Sequence, residues 1–395
     1  MREKRRFLWF LASQCVTLFG STLSQMAVVW YVTMETASGA WVAAFTAASY
    51  LPQFLFSFAG GVWADRFNRK WLIAGADGAM AAAAVFGAAA LPWLWRRQLL
   101  FPFLLALALF RSAGSGIQTP AVNAVIPDLM PKGERLWGNG LNAAMQSAVQ
   151  FAAPAAAGIL FAVGNLKTAL LADAATAAVG IALLSAVSIP KPRKSHEEES
   201  KKRLDVWSDI KEGLRYAVRR REVGKLLLVY GLLTLLCVPA GFLSGVLVRR
   251  TFGSTYWHLT AAELAGFGGM TVGGLAAGLG RRFVRGREKS LLKWGTAVFG
   301  LFSAAMGAAR HFPLYLVLMG GYGMALTAAQ SACVTLLQEK TDEGMMGRVF
   351  GLQSSMYAGF LPLGMAVFGP LADVLPLPGL MLGAGIGLAG LALWI

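Results

Sequence analysis

Three charged side chains fall inside stretches of the sequence that are otherwise apolar. Arg111 lies deep within one stretch, and Asp77 and Asp173 lie within two others. If these stretches cross a membrane, each charge costs roughly 3 kcal/mol or more to bury unless it is paired or faces water. Arginine cannot discharge by losing its proton, so Arg111 must face a cavity or an acid.

These three residues are candidates for coupling proton movement to transport. A carboxyl group can load a proton on one side of a membrane and release it on the other, and a nearby guanidinium can tune that exchange or bind substrate. The alternative is structural in each case. Arg111 would form a permanent ion pair, Asp77 would tether the basic loop or a neighbouring helix, and Asp173 would pack between helices.

A denser group of charges lies between two apolar runs and begins with a pair of glycines at Gly60. Such charge between apolar segments marks a short loop at a membrane face, and the glycines allow the end of one helix to press against a neighbour. The residues singled out in this loop are Gly61, Asp65, Arg66, Arg69 and Lys70.

Composition places the whole chain in a membrane. Its 395 residues are 56% hydrophobic and only 14% charged, with a mean hydropathy of +0.56, whereas soluble domains carry roughly 25% charged residues. A spanning helix needs about 20 apolar residues. Twelve such windows can be drawn, and they start near residues 7, 41, 71, 99, 137, 166, 223, 259, 290, 312, 349 and 376.

The distribution of basic residues predicts the orientation. With a cytoplasmic N-terminus, most of the 36 Lys and Arg residues fall in cytoplasmic loops, which places both termini in the cytoplasm. Topology and anionic lipid then explain the net charge of +16, so nucleic acid is not expected as a partner. The basic residues left in outer loops are Arg96, Arg97, Lys167, Arg249, Arg250 and Arg310.

The fold class predicted is an all-α membrane protein with twelve transmembrane helices in two pseudo-symmetric halves. Residues 1–189 form the first six-helix half, residues 190–222 a partly amphipathic cytoplasmic linker, and residues 223–395 the second half. The halves align weakly with each other, and Gly278 stands where Asp65 would recur. Repeated halves of this kind predict a transporter whose substrate site lies at their interface near mid-membrane.

Polar stripes and aromatic residues supply candidates for a substrate cavity. Polar residues recur every three or four positions on helices 1 and 5, so each set shares one helix face. The alternative is packing between helices. The cavity candidates are Gln14, Gln25, Tyr50, Asn142, Gln146, Tyr230, Tyr322 and Tyr357.

Several motifs resemble those of the major facilitator superfamily. Gly61 to Arg69 resembles the loop signature between helices 2 and 3, and Leu109 to Gly116 resembles the helix 4 arginine motif. Pro154 to Gly158 is similar to a weakened helix 5 antiporter motif. Gln25 to Tyr31 and Ala74 to Asp77 resemble the drug-exporting branch that contains the macrolide-efflux proteins.

That resemblance implies a gating role for the Asp65 loop. Its acid and bases can pair with helix termini of the other half and hold one access state closed, while a simple topology anchor is the alternative. Because Gly278 replaces the acid in the second half, an acid-based gate of this kind belongs to the first half alone.

The function expected is proton-coupled export of amphipathic, macrolide-like drugs across the bacterial cytoplasmic membrane by alternating access. The expected partners are a small amphipathic substrate, protons and lipids, and the chain is expected to be a monomer. The alternatives are export of a native metabolite such as a siderophore, movement of a lipid, or a non-transporting sensor or scaffold. No Walker motif or metal-ligand cluster occurs, so neither an enzyme nor a cofactor or metal is predicted.

Overall fold

The computed structural model of the chain describes residues 2–130, 135–189, 206–279, 287–342 and 345–395. Within these ranges the regular structure is helical throughout. The α-helices are α1 (Arg2–Thr36), α2 (Gly39–Arg66), α3 (Arg69–Arg96), α4 (Leu100–Leu129), α5 (Arg135–Val163), α6 (Leu166–Ser185), α7 (Val206–Arg219), α8 (Arg221–Leu236), α9 (Ser244–Thr251), α10 (Tyr256–Leu279), α11 (Glu288–Ala308), α12 (Phe312–Lys340), α13 (Met346–Val374) and α14 (Leu377–Trp394).

Ten helical segments of the described residues are long and apolar enough to cross a membrane. One of them, Arg221–Thr251, combines α8 and α9. The helices α2 and α10 are not among these ten, but their 28 and 24 residues are long enough to cross a membrane. Helices dominate because every backbone polar group in a bilayer must be satisfied within its own segment.

The chain divides into two compact units. The first unit contains Met1–Glu35 and Phe45–Lys194, and the second contains Thr36–Ala44 and Ser195–Ile395. The division at Lys194 falls in the predicted linker. The sequence gives no hint that Thr36–Ala44, the turn before α2 and its first residues, groups with the second unit.

The linker contains the short amphipathic helix α7, and its charged run up to Arg203 lies outside the described residues. In α7, Leu214 is 52% exposed whereas Ala217 is buried. Glu212 forms an ion pair with Arg348 at the start of α13, with a nitrogen to oxygen distance of 3.1 Å. The helix is therefore anchored to the second unit and leaves apolar surface free.

Close packing of α2 against α4 uses small residues. A Cβ atom on Gly60 would lie 2.5 Å from the carbonyl oxygen of Gly116 and 2.8 Å from the Cα atom of Ile117. A Cβ atom on Gly61 would meet nothing within 4 Å. The prediction of close approach is therefore confirmed for Gly60 and wrong for Gly61, because Gly61 faces away from α4.

The seventh span is interrupted by a π-helical turn at Val238–Phe242, which contains Pro239. The hydroxyl of Tyr322 on α12 donates a hydrogen bond to the carbonyl oxygen of Cys237, at 3.0 Å. Such turns change the direction of a helix, and a side chain that satisfies a freed carbonyl stabilises the break. The turn thus separates α8 from the last part of this span, α9.

The two glycines provide a matched test of the packing. We expect Gly60→Ala to lower the thermal unfolding midpoint of the purified protein, since backbone atoms of α4 must move and overpacking costs about 1–3 kcal/mol. Gly61→Ala should leave the midpoint unchanged or raise it, because alanine is favoured over glycine in a helix by about 1 kcal/mol. Equal midpoints for the two variants in detergent would contradict the packing of α2 on α4.

Candidate functional site

An ion pair joins α4 to α6 inside the first unit. The Nη1 atom of Arg111 donates a hydrogen bond to the Oδ2 atom of Asp173. The two side chains are 12% and 3% exposed. Ser21 on α1 contacts the other carboxylate oxygen, with its hydroxyl donating to Oδ1 at 3.4 Å. Arg111 therefore meets the acid that its burial requires.

Asp77 lies beside this pair and is 1% exposed. The Nε2 atom of Gln118 on α4 donates a hydrogen bond to its Oδ1 atom at 2.7 Å. Asp77 also interacts electrostatically with Asp173. Of the two tethers considered for Asp77, the structure shows the one to a neighbouring helix and not the one to the basic loop.

The three coupling candidates thus form one cluster, contributed by α3, α4 and α6. One guanidinium and two carboxylates carry an excess of one negative charge when both acids are ionised. Binding of one proton makes the cluster neutral, and neutrality is favoured where the dielectric constant is low. The arrangement can hold and release a proton, which is the chemistry that coupling needs.

A small cavity with a mixed polar and apolar lining reaches this cluster within the first unit. It encloses about 60 Å³, and a water needs roughly 10–15 Å³ of such volume. It can therefore hold a few waters but not a drug-sized ligand, which requires roughly 300–1,000 Å³. Its polar lining comes from Ser21, Ser24, Gln25, Ser49, Gln53, Arg111, Ser112 and Ser115.

Ser112, next to Arg111, inserts its hydroxyl into α2. It donates to the carbonyl oxygen of Ser49 at 2.8 Å and accepts from the backbone N–H of Gln53 at 2.9 Å. These two backbone groups are four residues apart and flank Pro52, which interrupts the helical ladder. A side chain of α4 thereby replaces a backbone hydrogen bond of α2 at the level of the charge cluster.

Two basic residues of the Asp65 loop, Arg69 and Lys70, contact residues of their own unit. Arg69 donates to the carbonyl oxygens of Ala64 and Ala124 and forms an ion pair with Asp128. Lys70 donates to the carbonyl oxygen of Ser185 at 2.6 Å. These partners satisfy the cations of Arg69 and Lys70 locally.

Asp65 is the residue before the last one of α2, and its side chain lies outside the described residues. Arg66 is exposed, and only Phe67 and Asn68 separate α2 from α3. The side chain of Asn68 accepts a hydrogen bond from the backbone N–H of Lys70, which caps α3. The loop is therefore as short as the sequence predicts.

The structure distributes the predicted substrate-contacting residues unevenly. Gln25 lines the cavity. Gln14 is buried and donates to Ser13, and Tyr322 is buried against Phe299. Neither lines the cavity, because both are held by core contacts.

The other candidates divide by exposure. Asn142 is buried, and its Oδ1 atom makes no hydrogen bond among the described residues. Gln146 is exposed. The remaining candidates are half-buried and outside the cavity lining, and they are Tyr50, Tyr230 and Tyr357.

Sequence reasoning missed Gln118 and Ser112 as part of the site. Gln118 follows Arg111 by seven positions, which is two helical turns and therefore the same face of α4. That spacing is a signal that could have identified it. Ser112 has no comparable signal, since its role depends on the proline of a different helix.

The described residues contain no group of three or more His, Cys, Asp or Glu side chains that could hold a metal ion. Cys15, Cys237 and Cys333 are free thiols.

The ten apolar spans of the described residues, with a charged cluster buried between three helices, define a multi-pass membrane protein. The sequence profile of the Major Facilitator Superfamily matches residues 10–365. The chain belongs to this superfamily, which confirms the predicted family and fold class and makes the protein a transporter rather than an enzyme.

Similar proteins export drugs or metabolites. Macrolide efflux protein A of Streptococcus pyogenes is 27% identical over 374 residues, covering 94% of this chain and 90% of that protein. Multidrug efflux pump Tap of Mycobacterium tuberculosis is 25% identical over 364 residues, covering 90% and 84%. Enterobactin exporter EntS of Shigella boydii is 26% identical over 329 residues, covering 80% and 73%.

Among solved structures, a bacterial homologue of the iron transporter ferroportin in an inward-facing state matches with a TM-score of 0.75. The sequences are 17% identical, and the match covers 99% of this chain and 98% of that one. The likeness supports the fold of the superfamily.

The buried ion pair predicts a specific pattern of stability. Arg111→Gln or Asp173→Asn alone leaves one buried charge without its partner, and such a loss costs about 3–5 kcal/mol. Each single variant should unfold at a clearly lower temperature in detergent, while the double variant should recover much of the difference. Arg97→Gln removes an exposed arginine and serves as the control. A double variant that is no more stable than the singles would refute the pairing.

Proposed function

We propose that this protein exports amphipathic, macrolide-like drugs from the bacterial cytoplasm in exchange for protons. The observation that carries the proposal is the buried cluster of Arg111, Asp173 and Asp77, which can take up one proton. Similarity to Macrolide efflux protein A over most of both chains supports the substrate class.

In the proposed cycle, Asp77 carries the proton. Asp173 is held by Arg111 in an ion pair, whereas Asp77 accepts a hydrogen bond from the neutral side chain of Gln118. A carboxylate without a cation of its own gains more from binding a proton than one already paired. The small cavity beside Arg111 gives waters a place from which protons can reach the cluster.

The proposed topology places both termini in the cytoplasm, following the distribution of basic residues. Asp65 then lies on the cytoplasmic face, where it acts as a gate that favours the outward-open state. Drug and protons use the same pathway at different stages of the cycle, and binding shifts the population between its two access states. The active unit is proposed to be a monomer.

Drug accumulation in cells tests the proposal directly. Cells that express the chain should accumulate less erythromycin than cells with an empty vector, and a protonophore should abolish the difference. Equal accumulation with and without the chain would count against macrolides as substrates. A difference that survives the protonophore would count against proton coupling.

Asp77→Asn should abolish uphill erythromycin export, because the amide still accepts the hydrogen bond from Gln118 but cannot exchange a proton. The control Glu339→Gln removes an exposed acid and should export normally. Amounts in the membrane are compared by quantitative blotting. Unchanged dependence of export on the pH gradient in Asp77→Asn would exclude this residue as the proton carrier.

The double variant of Arg111→Gln and Asp173→Asn separates the two roles of the ion pair. If the pair serves transport, the double variant is present in the membrane but does not export. Full export by that variant would assign the pair to structure alone.

Asp65→Asn should move the population toward the inward-open state. The measurement is the labelling rate of a single cysteine at Gln25 by a membrane-impermeant maleimide, in inside-out and right-side-out vesicles. Asp128→Asn, which removes an acid at the end of α4 that pairs with Arg69, is the comparison for loss of a charge beside the loop. An unchanged ratio of the two labelling rates in Asp65→Asn would mean that this acid is not a gate.

A second candidate substrate is a native metabolite. The similarity to an enterobactin exporter favours it. If erythromycin is not expelled, export of enterobactin from loaded vesicles under a pH gradient is the measurement that decides for or against this candidate.

A further inference from the structure

The linker helix α7 lies at the level where two spans of the second unit begin. Only Arg220 separates α7 from α8, and a Cβ atom on Gly224, in the first turn of α8, would lie 2.6 Å from the carbonyl oxygen of Ala217. A Cβ atom on Gly213 would lie 3.3 Å from the Cβ atom of Arg348, near the start of α13. Charged helix ends are costly to place in hydrocarbon. The helix α7 therefore lies at the membrane surface and not within the membrane.

Polar contacts hold α7 in this position. Glu212 pairs with Arg348 at a nitrogen to oxygen distance of 3.1 Å. Arg220, directly after α7, pairs with Asp342 at 3.3 Å. The hydroxyl of Tyr216 accepts a hydrogen bond from the backbone N–H of Asp342 at 3.0 Å. These contacts fix which side of the helix faces the second unit and which side points away from it.

The side chains of α7 fall into three sectors around the helix axis. The first sector contains Ala217, which is buried against the second unit. The second sector lies about 100° further around the axis. It contains Leu214 and Val218, which are 52% and 72% exposed. Arg215 and Arg219 lie about 100° beyond them and are also exposed. An apolar sector beside a basic one is typical of a helix that lies between the lipid tails and the headgroups.

Exposed arginines at the junction of α7 and α8 lack an acidic partner. Arg215, Arg219 and Arg221 make no ion pair or hydrogen bond with any residue that the structure describes, whereas Arg220 pairs with Asp342. Arginine binds phosphate through two parallel hydrogen bonds, and bases beside a membrane attract its anionic headgroups. We call the following residues the α7 surface: Leu214, Arg215, Val218, Arg219 and Arg221.

We propose that the α7 surface binds anionic phospholipids of the cytoplasmic leaflet, with its two apolar side chains against the acyl chains and its three arginines on the headgroup phosphates. The inference goes beyond export and takes from the proposed function only the topology that names the leaflet. An anionic phospholipid supplies both an acyl chain and an uncompensated negative charge. A free anion would leave the apolar sector in water, and a neutral lipid would bring no net charge to the arginines.

Fluorescence quenching by brominated lipids tests the proposal on the purified full chain. A bimane label is attached to a cysteine at Val218, after the three native cysteines are replaced by alanine. The vesicles contain equal parts of phosphatidylcholine and phosphatidylglycerol, and only one of the two lipids carries bromine on its acyl chains. Brominated phosphatidylglycerol should quench the label about twofold more than brominated phosphatidylcholine, because the arginines enrich the anionic lipid beside α7.

Equal quenching by the two lipids would overturn the proposal. Absence of quenching by either lipid would overturn it too, since protein and not lipid would then cover this surface.

Two pairs of substitutions separate the α7 surface from the overall charge of the chain. Arg215→Gln combined with Arg219→Gln should bring the ratio of the two quenching values to about one, because the local attraction is lost. The matched control combines Arg96→Gln with Arg97→Gln, which removes two exposed arginines at the end of α3 and should keep the parent ratio. Leu214→Gln should lower quenching by both lipids. An equal fall of the ratio in both double variants would overturn the proposal, since the effect would then be general electrostatics.

Further outcomes distinguish a lipid from a free anion and the α7 surface from the proposed function. Inorganic phosphate added to phosphatidylcholine vesicles should leave the bimane emission unchanged. A change as large as the one that phosphatidylglycerol causes would assign the arginines to a free anion and overturn the proposal. Preference for phosphatidylglycerol in a chain that exports no erythromycin would support the lipid surface and count against the proposed function. Equal quenching in a chain that exports under a proton gradient would refute the lipid surface alone.

Discussion

The cost of placing charge in hydrocarbon shapes this molecule more than any other single constraint. Arg111 cannot give up its proton, and its only low-cost position is beside an acid such as Asp173. That requirement brings α4 and α6 together, and Asp77 on α3 joins them through Gln118. Three helices of the first unit are therefore held at the same depth by charge and hydrogen bonding rather than by apolar packing alone.

The ion pair also gives the two acids, Asp173 and Asp77, different hydrogen-bond partners. Asp173 is committed to the guanidinium, while Asp77 has only a neutral amide as its described hydrogen-bond donor. The same residue type thus meets two environments within one cluster. A carrier that moves protons needs one acid that stays ionised and one that changes, and this difference in partners supports such a division of labour.

Some of this could be predicted from the sequence. Hydropathy predicted twelve spans, and the energetic cost of Arg111 predicted an acidic partner or a cavity. Both occur. The partner of Asp77 could not be chosen, because the sequence does not show which helix packs against α3, and only the packing of α3 on α4 brings Gln118 to this acid. Ser112 contacts α2 beside Pro52 across more than 50 residues of the chain. Asp373 caps the N-terminus of α2 across more than 300 residues. The periodicity of the sequence does not encode such distant contacts.

The π-helical turn at Val238–Phe242 is a place where the seventh span can absorb a change in its own length. Such a turn accommodates one more residue than regular helix, so deleting that residue would leave the helix beyond it in nearly the same phase. Deleting a residue from α8 would instead rotate everything beyond it by about 100° around the axis. Arg250 lies beyond the turn, and its guanidinium would then point away from Ala37 and Asp373, to which it donates hydrogen bonds. Divergent relatives can therefore replace side chains in α8 more freely than they can gain or lose a single position there.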